Sequence, residues 1–171
     1  MAYPQWAAGQ RVTAAALAAM LPLDVSKTAL QQVTNSTTLV ADTHLFLPVV
    51  AGAVYRLDGM LDYDGFFGAG GLKVGWTYPS GTTMRWGLRG VVAQDTNLKF
   101  NPNSGIESAV LSVGTYGTSG ASGAHTTARP VGTVTIGGTA GTLTMRWAQD
   151  AAHATSTTLW PGSFISLQRV S

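Results

Sequence analysis

From Lys27 onward the chain consists of short runs in which apolar and polar residues alternate. In the run Tyr55–Tyr63, for example, large apolar side chains occupy every second position except Gly59. Because successive side chains of a strand point to opposite faces, a period of two predicts strands with one buried face. Clusters of Gly, Pro, Asn and Asp separate the runs and predict turns.

Eight to ten such runs are present, which predicts an all-β protein. They include segments near Gln31–Thr34, Thr38–Val49, Tyr55–Tyr63, Leu72–Trp76, Met84–Leu88, Ser108–Val113, Val131–Ile136, Leu143–Trp147 and Phe164–Arg169. This many short strands in 171 residues fits one domain with two stacked sheets. We therefore expect an antiparallel β-sandwich of jelly-roll type with a short N-terminal helix.

Two neighbouring runs are joined by a turn sequence. Leu72–Trp76 and Met84–Leu88 flank Tyr78–Gly81, where Pro79 and Gly81 stand as a reverse turn requires. This arrangement predicts that the two strands pair as a hairpin.

The N-terminal part has a different pattern. Thr13 is placed to cap a helix over Ala14–Leu21, and Pro22 ends it. The pattern predicts an N-terminal arm and helix over residues 1–26 and a β-sandwich over 27–171. A helix of about two turns is unstable alone, so it must dock. The residues available for docking are apolar: Trp6, Leu17, Met20 and Leu21.

Two interpretations of these apolar residues remain open. They pack on their own domain, or they form an attachment or subunit contact. No apolar stretch reaches the roughly 20 residues of a membrane span, and the run Val12–Leu23 lacks the features of a secretory signal. The chain has no cysteine, so we expect packing or oligomerisation to stabilise it.

Charged residues make up only 11% of the chain, against about 25% in typical soluble domains. Neutral polar residues must therefore cover the surface, as is common where copies of a protein meet. The net charge is +2, and no two of the ten basic residues are adjacent. Binding to nucleic acid depends on clustered Lys and Arg, so the sequence disfavours it.

The sequence contains no recognisable catalytic or cofactor motif. His44, His125 and His153 are far apart, and none has metal-ligand spacing on a helix. Asp42 and His44 share one face of a strand, where we expect a solvated rim. We find no nucleophile elbow and no phosphate-binding glycine motif, so we expect neither an enzyme nor a bound cofactor. A glycan-cleaving carboxylate pair is a distant alternative.

The nearest approach to a cation site is a group of three carboxylates. Asp58 and Asp62 share the polar face of a strand, and Asp64 begins a turn with Gly65. The spacing weakly resembles a calcium loop, but the other ligand positions are absent. Whether an ion binds there stays open at this point.

Aromatic residues divide into two groups. Trp76, Trp86 and Trp147 stand on apolar strand faces and are expected in the core. Tyr116 and Trp160 lie near turns and are the candidates for surface contact. Two segments, Ala93–Glu107 and Gly114–Gly123, have the composition of loops that could carry such a contact.

Four segments resemble small tail proteins of phages that infect actinobacteria. Trp6–Met20 is similar to the short helical leader of minor tail and fibre proteins. Three further segments resemble a β module of the same proteins: Gly71–Trp86, Thr142–Gln149 and Gly162–Val170.

The resemblance implies a virion component assembled as a homotrimer. Its N-terminal part would attach to other virion proteins of the tail, and its β-sandwich would face the host surface, with a glycan as one ligand. The alternative is a capsid decoration protein, in which a trimer clamps neighbouring shell subunits.

Overall fold

A computed structural model describes residues 8–9, 11–18, 20–66, 70–90, 113–116 and 125–171. Within these residues lie one helix and eleven strands, one more than the upper limit expected from the sequence. They are α1 (Ala14–Ala18), β1 (Leu23–Ser26), β2 (Gln31–Val33), β3 (Val40–Val49), β4 (Val54–Asp64), β5 (Leu72–Thr77), β6 (Thr83–Arg89), β7 (Val113–Tyr116), β8 (Thr126–Thr135), β9 (Gly141–Gln149), β10 (Thr157–Leu159) and β11 (Phe164–Arg169).

The strands form two antiparallel sheets, as the alternation predicted. The larger sheet runs β1-β11-β4-β8-β6, with β10 and β2 continuing beside the last residues of β4. The smaller sheet runs β3-β9-β5-β7. The apolar faces of the two sheets form one core, which includes the fully buried Tyr55, Leu57, Leu143, Trp147 and Ile165. Trp86 and Trp147 are buried and Trp76 packs against the core, so their expected core positions are confirmed.

The larger sheet begins earlier in the chain than expected. Leu23–Ser26, assigned from sequence to the N-terminal arm, is strand β1 and pairs with β11 from Leu23↔Leu167 to Ser26↔Phe164. At four residues β1 is too short to show a clear alternation. The three-residue β10 was missed for the same reason.

The hairpin predicted across Tyr78–Gly81 is wrong. β5 pairs with β7 and β9 in the smaller sheet, whereas β6 pairs with β8 in the larger one. The turn therefore crosses from one sheet to the other over the edge of the sandwich. The rings of Trp76 and Trp86 meet edge to face, with centroids 5.7 Å apart, where the strands lie on opposite sides of the core.

Asp42 is not part of a solvated rim, as expected from sequence, but is 3% exposed. Its Oδ2 atom accepts hydrogen bonds from Lys27 Nζ at 2.7 Å and Trp147 Nε1 at 3.1 Å. Its Oδ1 atom accepts from the backbone N–H groups of His44 and Leu45 at 2.8 and 2.9 Å. Four donors thus replace the water that the carboxylate loses on burial.

The same contacts explain an irregularity in β3. The pairing with β9 advances from Ala41↔Arg146 to Phe46↔Thr144, so four residues of β3 face a single residue of β9. The Asp42 side chain accepts hydrogen bonds from the N–H groups two and three residues further along the chain, and these bonds turn the bulge inward. Lys27 follows β1 directly, so the ion pair links the first strand to the smaller sheet.

The strands of the sandwich meet at two ends, which we call the turn end and the loop end. At the turn end, where β3, β5 and β8 finish, the connections 50–53, 78–82 and 136–140 have four or five residues. These turns touch, because Gly52 N–H donates to the Gly137 carbonyl at 2.9 Å. At the loop end, where β4 and β9 finish, the connection 150–156 has seven residues, whereas 27–30 and 160–163 have four each.

The N-terminal helix is shorter than expected. Thr13 Oγ1 accepts a bond from Ala16 N–H at 3.2 Å, as an N-cap does, but α1 covers only Ala14–Ala18. Met20 N–H then bonds to the Leu17 carbonyl at 3.0 Å, a tighter i to i+3 contact that ends the helix before Pro22. The helix lies at the turn end, where the chain enters β1.

One glycine fixes the spacing between the outer strands of the larger sheet. A Cβ atom on Gly132 of β8 would lie 2.3 Å from the Arg85 carbonyl oxygen and 2.7 Å from Trp86 Cα of β6. Both contacts are with backbone, so no side-chain rotation relieves them.

We expect Gly132→Ala to lower the free energy of unfolding by about 1–3 kcal/mol, because β6 must shift away from β8. Gly138→Ala is the matched control, since nothing lies within 4 Å of its Cβ position. Urea denaturation of both variants measures the difference. Equal stability of the two variants would contradict the close approach of β6 and β8.

Candidate contact surfaces

The N-terminal segment exposes apolar side chains at the turn end. Leu17 is 55% exposed and Leu21 is 60% exposed, and Val12 beside them is 59% exposed. Of the two interpretations left open by the sequence, packing on their own domain does not account for these two exposed leucines. Their exposure leaves apolar surface whose burial would be favourable.

The other residues predicted for this contact have different positions. Met20 is half-buried, and its carbonyl accepts a hydrogen bond of 3.1 Å from Gln168 Nε2 of β11. This bond ties the segment after α1 to the larger sheet. Trp6 lies outside the described residues.

Trp160 lies at the loop end as part of a small polar and aromatic cluster. His125 Nδ1 is 2.8 Å from Asp62 Oδ1, and the His125 ring leans against the Trp160 ring with centroids 5.0 Å apart. Trp160 is half-buried, and its Nε1 atom is buried without a hydrogen-bond partner. Sequence reasoning selected Trp160 for its place near a turn but did not bring Asp62 and His125 to it.

A tight turn holds this cluster in place. Pro161 and Gly162 occupy its centre, and Gly162 has a φ of 92°, which favours glycine. Ser163 N–H closes the turn on the Trp160 carbonyl at 3.3 Å. Trp160 N–H in turn donates to the Asp62 carbonyl at 2.8 Å, so β4 positions the tryptophan backbone.

Among the residues that the structure describes, the cluster has a carboxylate and an imidazole but no third member of a nucleophilic triad. Within the described residues, no hydroxyl group hydrogen-bonds to the His125 ring, as attack by a serine or threonine would require. An aromatic ring beside hydrogen-bonding groups is instead suited to contact with a polar ligand.

The three carboxylates considered for an ion do not form one site. Asp58 is bonded by Arg129 Nη2 at 3.0 Å, and Asp62 is bonded by His125, so each has a basic neighbour. Asp64 is 4% exposed and ends β4 rather than extending into a turn. No group of three or more potential metal ligands occurs in the described part of the chain.

Tyr116, the other candidate for surface contact, ends a strand. Gly114–Tyr116 belongs to β7, which pairs with β5 from Leu72↔Tyr116 to Gly75↔Val113, so their assignment to a loop is wrong. Residues 117–123 of that predicted loop, and the whole of Ala93–Glu107, lie outside the described residues.

Sequence reasoning missed a second cluster at the loop end. The rings of Phe66 and His153 stack with centroids 4.0 Å apart. Gln149, fully buried, accepts from the N–H groups of Ser36 and His153 and donates to the Thr155 carbonyl at 2.8 Å. A buried glutamine with several backbone partners holds the β9–β10 connection against the loop before β3.

Asp150 lies next to this cluster, directly after β9. Burial raises the pKa of Asp150 above its ordinary value, and the positive charge of Lys73 partly offsets the effect. Burial also raises the pKa of Tyr63 far above its usual range, consistent with a tyrosine that stays neutral in the core.

No helix in the described residues is long and apolar enough to cross a membrane. Comparisons with protein-family models, with curated proteins and with solved structures found no match to this chain.

We expect Asp150→Asn to raise the thermal unfolding midpoint at neutral pH. Because folding raises the pKa of Asp150, its ionisation costs stability once the pH exceeds the usual carboxyl range. At about pH 3 the carboxyl is protonated in both states, so the gain should vanish. Scanning calorimetry at both pH values measures this. The exposed Asp24→Asn is the control. A gain that persists at low pH would contradict the raised pKa of Asp150 as its cause.

Proposed function

We propose that this chain is a structural protein of a bacteriophage particle that assembles through its N-terminal segment and presents the loop end of its sandwich outward. The observation that carries the proposal is the difference between the two ends. Exposed Leu17 and Leu21 lie at the turn end, while the Trp160 cluster lies at the loop end. Attachment and recognition are thereby separated along the strand axis.

We propose further that the sandwich is a jelly roll. With the short β2 and β10 and the edge strand β6 set aside, eight strands remain in chain order. One sheet then contains the first, eighth, third and sixth strands, and the other contains the second, seventh, fourth and fifth. This order supports the assignment, because a jelly roll alternates its strands between two sheets in this way. Viral capsid and lectin domains use that fold.

The surface chemistry also supports a role in assembly. With 11% charged residues, the chain can meet copies of itself with little desolvation of ions.

The location of the chain tests the proposal. We expect mass spectrometry to find the chain in purified virions of the source phage, and cryo-electron microscopy with a labelled antibody to locate it on the tail. Label spread over the shell would instead favour capsid decoration. Absence of the chain from purified particles would refute a structural role in the virion.

The oligomeric state tests the role of the N-terminal segment. We expect the chain to be a trimer in solution and Leu17→Ser/Leu21→Ser to be monomeric with an unchanged circular dichroism spectrum, because the exposed leucines lose their apolar contact. Light scattering after size-exclusion chromatography measures both. Leu30→Ser, at an exposed leucine beyond β1, is the control and should remain trimeric. A monomeric wild-type chain at micromolar concentration would contradict the assembly.

A further inference from the structure

Four arginines that are far apart in the sequence lie on the outer face of the larger sheet. Arg56 is on β4, Arg129 on β8, and Arg85 and Arg89 on β6, and all four are exposed. The register places Arg56 and Arg85 on either side of Thr133, while Arg89 is directly opposite Arg129. We call these four residues the arginine face.

The strand geometry gives the dimensions of this face. Arg56 and Arg85 are two strands apart, which is about 10 Å, and Arg85 and Arg89 are four residues apart, which is about 13 Å. Arg89 and Arg129 are on neighbouring strands, about 5 Å apart, so the four outline a trapezoid. Gly87, between Arg85 and Arg89 on β6, and its partner Val131 on β8 have no long side chain, whereas Asp58 lies on the β4 side.

The charge on this face is not balanced. Asp58 bonds to Arg129, but Arg56, Arg85 and Arg89 have no carboxylate partner among the described residues. The four arginines with Asp58 and Asp62, the two other charged residues at outward positions of β4, carry a formal charge of +2. Like charges directly opposite each other, as Arg89 and Arg129 are, destabilise a sheet. Such an arrangement favours an anion above the face.

The surrounding groups indicate what kind of anion fits. Threonine hydroxyls at Thr83, Thr127, Thr133 and Thr135 point the same way as the arginines and can bond to hydroxyl groups. The outward positions of β4, β6 and β8 hold no aromatic ring, whereas single-stranded nucleic acids stack their bases on such rings. Arginine also binds planar carboxylate groups with two parallel hydrogen bonds.

We infer that the arginine face binds a linear acidic polysaccharide, with its acidic groups on the arginines and its sugar hydroxyls on the threonines. The inference rests on the proposed contact with a host surface and adds the outer face of the larger sheet to the loop end as a second contact region. Repeated copies in an assembled particle would multiply a weak contact of this kind.

Binding of polygalacturonate fragments to the full chain tests the inference, with neutral dextran and a single-stranded DNA of equal charge for comparison. By isothermal titration calorimetry we expect binding to polygalacturonate that weakens at high salt, and none to dextran. Arg85→Gln/Arg89→Gln should weaken it about tenfold or more, since two charge-assisted contacts are lost. Arg11→Gln removes a charge elsewhere and should change the affinity less than about twofold.

Arg56→Gln, on a different strand, gives an independent measurement if the double variant unfolds easily, and it too should weaken binding. Equal affinity of wild type and both face variants would overturn the inference, as would tighter binding to DNA than to polygalacturonate. These binding experiments use the purified chain. Their outcome is therefore independent of whether the protein is found on a phage particle.

Discussion

The buried ion pair between Lys27 and Asp42 is the interaction on which the loop end of this sandwich depends. Both side chains are fully removed from solvent, and the two charges are 2.7 Å apart. A buried pair of this kind adds little net stability over apolar residues, but leaving one charge unpaired is expensive. It therefore acts as a constraint: β1 must lie beside β11, and the bulge of β3 must turn inward, or the core would hold an unpaired charge. Gln31, which bonds to Lys27 Nζ at 3.3 Å, extends the constraint to β2.

This constraint separates two surfaces of the molecule. β1 pairs with β11 and runs from the turn end towards the loop end, so the exposed leucines that precede it lie at the turn end. The paired strands β4 and β11 extend from β1 to the Trp160 cluster at the loop end. There Ser163 Oγ accepts a hydrogen bond from Asp62 N–H at 3.0 Å. The same strand order would place the proposed assembly at one end and the proposed contact at the other. The arginine face adds a third surface along the side of the sheet.

Local patterns in the sequence were enough to predict the layers but not their connections. Alternation identified the buried faces of β4 and β9 because a strand places every second side chain inward. It could not decide between a hairpin at Tyr78–Gly81 and a crossing between sheets, since the same turn residues serve both. Asp42 was misjudged because its partners, Lys27 and Trp147, are 15 and 105 residues away. The arginines likewise lie together only because strands that are distant in sequence pair with one another. No two of the basic residues are adjacent in the sequence, so it gave no sign of a basic surface.

The most direct test of this account is a double-mutant cycle on the buried pair, measured as the free energy of unfolding in urea. We expect Lys27→Met and Asp42→Asn each to cost about 3–5 kcal/mol, because each leaves the partner without its main contact. The double variant should cost clearly less than the sum of the two, because the pair is removed together. Losses below about 1 kcal/mol that simply add would be typical of an exposed pair and would contradict the account.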